Sequence, residues 1–170
     1  MSSVIKVNEI QDTSGNTALS IDSSGVVNLS NTVMYDIYTL DSNFTTDNGT
    51  LADWGKPSGS SIFVANGVGD LMSISSGIFT FPRTGVYRVS YFATISNASG
   101  DNQTSVSLYG TNDNSTYTRH TYAGVGNTAS ATDLSMVSAE VLVNITDTAN
   151  RKVKLVLESV QGGSLVFFFF

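Results

Sequence analysis

The sequence predicts an all-β sandwich. No window carries the apolar period of a helix. From residue 32 onward, eight to ten stretches alternate apolar and polar residues instead, as half-buried strands do. Clusters of Gly, Asn, Asp and Ser separate them at regular spacing, the punctuation of antiparallel turns.

Residues 1–31 stand apart from the rest. Asp12-x-Ser14-Gly15-x-x-x-Leu19 recurs ten residues later as Asp22-x-Ser24-Gly25-x-x-x-Leu29. In each copy the Asp carboxylate is expected to bond the turn backbone while Gly takes the left-handed position. Ile10 and Ile21 precede the turns, and Leu19, Val27 and Leu29 follow them. So short a segment cannot bury enough surface by itself. Two arrangements would satisfy it: copies from other chains wrapped about a common axis, or an arm that orders on docking to a larger body. Either makes Ile10, Asp12, Gly15, Leu19, Ile21, Asp22, Gly25 and Leu29 the attachment residues.

Residues 32–170 are expected to form one knob. Val33 to Leu40 is the first strand candidate, and Asn43 to Gly59 a long loop with the sole tryptophan, Trp54. Ser61 to Ala65 and Asp70 to Ser75 are short strands. Phe79 to Arg83 and Val86 to Ser96 form a central pair. Gln103 to Tyr109, Tyr117 to Tyr122, Leu134 to Thr146 and Arg151 to Val160 follow. In the last of these Val153, Leu155 and Leu157 oppose Lys152, Lys154 and Glu158, which are expected to face outward. Gly162-Gly163 turns into a final strand, Ser164 to Phe170.

In the central pair Phe79 and Phe81 point to one face, and Pro82 removes a ladder donor and ends the strand. Gly85 is expected at a corner that disfavours a side chain. Tyr87, Val89, Tyr91, Ala93 and Ile95 then fill the buried face of the second strand.

This Phe-x-Phe-Pro-x-x-Gly-x-Tyr-x-Val-x-Tyr spacing resembles the central motif of the C1q/TNF-like jelly roll, most closely in short fibre and decoration proteins of tailed bacteriophages. Asp147-Thr148-Ala149-Asn150-Arg151-Lys152-Val153 and the stretch Ile5 to Leu29 resemble the same phage group. The resemblance narrows the sandwich to a jelly roll and implies a homotrimer. It also implies that the terminal strand lies in the sheet lining the three-fold axis. That matches the run Phe167, Phe168, Phe169 and Phe170, which alternation leaves half outside a monomeric sandwich. A strand covered on both faces, or a chain cut short, would also account for it.

Composition excludes much. There is no cysteine, so disulfides, thiolate metal sites and cysteine nucleophiles are out. Charged residues make up 13% of a chain with net charge −6, and the scattered basic residues do not form a nucleic-acid footprint. The densest basic group, Arg151, Lys152 and Lys154, is a strand entry or a small anion site. No membrane-spanning stretch or signal peptide is expected. No nucleophile–base pair, phosphate loop or metal-ligand spacing stands out, so neither enzyme activity nor a cofactor is expected.

Exposed aromatics remain as candidate ligand groups: Trp54, which could equally cap the core, and Tyr117, His120 and Tyr122 from the region Asn112 to Asn127. The expected function is a non-enzymatic virion protein of a tailed phage, on the particle surface. It would be a trimeric head decoration or short fibre, bound to capsid or tail proteins through its amino terminus and adhering to host-surface glycan or protein. A tail-fibre tip that binds a receptor is the alternative within that class. A free C1q-like recognition module and a hydrolase on a β scaffold are the readings outside it.

Overall fold

The structure is a computed structural model that describes residues 7–15, 17–29, 34–57, 67–96, 103–126, 134–158 and 165–169. The chain divides into two compact units, Met1–Met34 and Tyr35–Phe170.

The first unit is an antiparallel meander of β1 (Glu9–Gln11), β2 (Thr17–Ile21) and β3 (Val27–Leu29), in that order. Its two turns use the same chemistry. The Asp12 carboxylate accepts from the Ser14 amide at 2.8 Å, and Gly15 has φ 83°. The Asp22 carboxylate accepts from the Ser24 and Val26 amides at 2.8 and 2.9 Å, and Gly25 has φ 81°. The repeat is therefore a repeat of turn geometry. No side chain of this unit is buried among the described residues, and Ile10, Val26 and Val27 are at least half exposed.

The second unit is a two-sheet antiparallel sandwich of eleven strands among the described residues. They are β4 (Thr39–Leu40), β5 (Gly49–Thr50), β6 (Trp54–Gly55), β7 (Ser73–Ser75), β8 (Ile78–Thr80) and β9 (Gly85–Ser96). Then come β10 (Gln103–Thr111), β11 (Tyr117–Gly126), β12 (Leu134–Ile145), β13 (Lys152–Glu158) and β14 (Leu165–Phe169). One sheet has the order β12-β9-β14-β4-β6; the other has β11-β10-β13-β8-β7, with β5 also pairing with β13. The core lies between them. Tyr91 and Ile95 from the first sheet meet Leu108, Leu155 and Leu157 from the second, each at most 1% exposed.

The aromatic corner explains its own spacing. Phe79 and Phe81 are buried, and the Phe81 ring packs 4.6 Å from the Tyr87 ring across the turn. The Tyr87 hydroxyl donates to the Arg83 carbonyl at 2.8 Å, tying the strand back onto the turn. Gly85 takes φ 157°, with room for a side chain but a backbone that disfavours one. Along β9 burial deepens from half-buried Tyr87 and Val89, next to the corner, to Tyr91, Ala93 and Ile95. The Tyr91 hydroxyl crosses the core to the Val106 carbonyl at 2.8 Å.

Four expectations need correction. Only Thr39–Leu40 of the segment Val33 to Leu40 is a strand. Upstream, Asp36 replaces ladder pairing: its carboxylate accepts from the Ile37 and Met72 amides at 3.0 and 2.9 Å and from Tyr38, and pairs with Lys56. The region Asn43 to Gly59 is not one loop, since it contains β5 and β6. The region Asn112 to Asn127, expected as a ligand loop carrying Tyr117, His120 and Tyr122, is not one loop: the strand expected from Tyr117 to Tyr122 forms and continues to Gly126 in register with β10. Glu158 does not face solvent, since three side chains of neighbouring strands close over it. The candidate strand Ser61 to Ala65 lies outside the described residues.

Candidate functional site

Two surfaces of the sandwich carry the candidate groups. The first is the face of the β12-β9-β14-β4-β6 sheet turned away from the core. Alternation puts Tyr91, Ala93 and Ile95 inside, so Phe92 must point out, and it is 46% exposed. On β12 the outward phase holds Leu134, Met136 and Leu142, exposed at 65, 75 and 69%. In the β9–β12 register Phe92 faces Ser138, Thr94 faces Met136 and Arg88 faces Leu142, so Phe92 lies diagonally beside Met136 while Leu142 stands further along the same face. An Arg88–Glu140 ion pair crosses it at the surface. On the other side of β9, β14 pairs Phe167 with Thr94, Phe168 with Ala93 and Phe169 with Phe92. The phenylalanine run thus belongs to this sheet and borders the patch. Phe170 lies outside the described residues. The outward residues of β12 were legible as the second phase of its alternation, which is apolar at these three positions.

The second surface is the outer face of the β11-β10-β13 sheet. Val106, Leu108, Leu155 and Leu157 point inward, which leaves Ser105, Ser107, Tyr109, Lys154 and Glu158 on the outside. Glu158 is 8% exposed and accepts from Ser107, Tyr109 and Arg119. Burial alone would raise its carboxyl pKa; the three hydrogen bonds and the Arg119 charge outweigh that and hold it below the ordinary glutamate value. In return, the hydrogen bond to Glu158, then burial, raise the Tyr109 phenol. Sequence alternation could not reveal this network, because it joins residues 39 and 51 positions apart.

The aromatic candidates divide between structural and surface roles. Trp54 is half-buried; its indole N–H donates to the Leu51 carbonyl at 2.6 Å, and its ring meets Phe79 edge-on at 5.4 Å. It caps the core. His120 is exposed and falls at the register shift between β10 and β11, its ring lying against Gly110. Tyr122 is 47% exposed, with the Arg119 guanidinium 5.6 Å from its ring centre. The Lys154 ammonium lies 4.6 Å from the Tyr117 ring centre. Among the described residues no cluster of three or more His, Cys, Asp or Glu side chains could hold a metal ion. Asp113 is held well below the usual carboxylate range by the Thr116 and Ser115 amides and the Thr111 hydroxyl, the bonds of its own turn.

No protein-family model matches the sequence, and no curated protein matches it. Solved structures do match. The globular domain of the zebrafish complement 1qA protein superposes with a TM-score of 0.51 at 14% identity, over 79% of this chain and 94% of that one. Eiger TNF from S. frugiperda superposes with a TM-score of 0.50 at 12% identity, over 81% of this chain and 94% of that one. The knob has the C1q/TNF-like jelly-roll fold. At such identities the likeness is one of architecture.

Proposed function

We propose that this chain is a non-enzymatic structural protein of a tailed-phage particle: a head decoration or short fibre whose knob trimerises and whose amino-terminal unit attaches it. The observation that carries the assembly is the apolar sheet face. Phe92, Leu134 and Met136 are large, exposed and neighbours across β9 and β12, and Leu142 is exposed further along the same face. A soluble surface rarely leaves such a patch uncovered. Fully hiding each side chain contributes roughly 1.5–3 kcal/mol, enough in several copies to offset the cost of association. Arg88 and Glu140 enter that interface already paired within one chain, which limits the desolvation penalty and favours one docking register. The phage context is supported by the aromatic corner motif and the Asp-x-Ser-Gly repeat, both of which resemble phage fibre sequences.

Sedimentation equilibrium of the intact protein at micromolar concentration tests the assembly. Three times the chain mass of 18.0 kDa is expected. Met136→Glu with Leu142→Glu should shift the mass to one chain without loss of β-sheet ellipticity. A monomeric wild type would overturn the trimer. Mass spectrometry of purified particles tests the virion assignment, and absence of the chain there would sink it.

A further inference from the structure

The outer face of β11-β10-β13 combines cations and an exposed aromatic ring, in a chain that is otherwise acidic. Three of the eight basic residues, Arg119, Lys152 and Lys154, lie on β11 and β13 of this one sheet. The register aligns Arg119, Tyr109 and Lys154 in one row and Tyr117, Thr111 and Lys152 in the next, so both rows share the outer face. Two carboxylates face the same region, and both are already engaged: Glu158 by Ser107, Tyr109 and Arg119, and Asp113 within its own turn. Arg119 commits one nitrogen to Glu158 and is half exposed, so its other edge is directed to solvent. Among the described residues Lys152 and Lys154 have no carboxylate partner.

Two hydroxyls of this face, those of Ser105 and Tyr117, are closed to solvent, Ser105 beside the Tyr122 ring and Tyr117 across from Thr111 at the far end of β10, so neither is a contact for a ligand on the surface. Tyr122 supplies the flat element. Its hydroxyl lies where a Cβ on Gly124 would stand, so glycine lets the ring lie down along the strand.

We infer that this face binds an acidic saccharide. The Tyr122 ring would stack on a sugar ring, and the free edge of Arg119 and the Lys154 ammonium would take its carboxylate or sulfate. A nucleic acid fits less well, because three cations on a flat sheet do not follow a phosphate backbone. The inference rests on the host-surface reading above and names its ligand class. It is tested on the isolated protein, so its failure leaves membership of the particle untouched.

Isothermal titration calorimetry with a galacturonate hexamer and with a sulfated heparin hexasaccharide separates carboxylate from sulfate as the anion recognised; a dextran oligomer and polyphosphate are the comparisons. Saturable binding of at least one acidic saccharide is expected. It should weaken about tenfold or more in Tyr122→Ala and in Lys154→Glu and survive in Tyr122→Phe. Lys154→Glu alters a partly exposed strand position, so it keeps the test open should Tyr122→Ala fail to fold. No binding, binding equal to that of dextran, or equal affinity for polyphosphate with no loss in Tyr122→Ala would each overturn the inference.

Discussion

Two glycines on either side of β8 show how differently one residue type can be constrained. Ser76 and Gly77 both have positive φ, 50° and 77°, which makes a two-residue turn of the type that matches strand twist. A Cβ on Gly77 would overlap the Leu51 carbonyl, the oxygen that the Trp54 indole also binds. Gly85 has φ 157°, but its nearest neighbour beyond the adjoining residues is a Tyr87 ring atom at 3.6 Å. Gly77→Ala therefore meets backbone strain and a steric clash together, about 2–4 kcal/mol. Gly85→Ala meets strain alone, about 1–2 kcal/mol. Urea denaturation of the two variants should rank them in that order, and equal midpoints would show that the Leu51 contact is not held in solution. The sequence singled out Gly85 because a turn residue is visible locally. The constraint on Gly77 comes from Leu51, 26 residues upstream and just past β5, and has no local signal.

At the scale of the element, β13 shows what alternation resolves and what it misses. Its inward phase, Val153, Leu155 and Leu157, was legible and is buried. Its outward phase was expected to be solvated, yet Val156 and Glu158 are 5 and 8% exposed. The strand is central, and neighbouring side chains cover the outer face of its carboxyl end. That burial makes Glu158 a titratable tie between β10, β11 and β13. Its folded pKa lies below the ordinary glutamate value, so its contribution is complete at neutral pH and is lost as pH falls through the folded value. The gap in stability between wild type and Glu158→Gln should be constant from pH 8 to about 6 and narrow below about 4. Chemical denaturation across that range checks it. A gap that widened toward acid would mean that folding raises the carboxyl's pKa instead of lowering it. The same limit explains the ligand candidates. Local composition marked Tyr117 and Tyr122 and the strand between them, but not its extension to Gly126, which depends on the register with β10.

At the scale of the molecule, the two units differ in what holds them together. The knob has its own core, with Tyr91, Phe81, Leu51 and Ile95 at most 1% exposed. The amino-terminal meander has two well-formed Asx turns and no buried side chain among its described residues. Among its described residues Ile10 and Val27, on β1 and β3, are at least half exposed. A sheet of that size is marginal by itself, and docking to another particle protein, as proposed, would supply further contacts. Deleting residues 1–30 removes none of the core residues named above. The truncated protein should therefore stay soluble, keep the β-sheet ellipticity of the knob and retain the trimeric mass set by the β9–β12 face. It should fail to join particles that lack the intact protein, whereas the full chain restores occupancy in the same assay. Normal occupancy by the truncated form would make the knob the docking end and reverse the polarity proposed for the molecule.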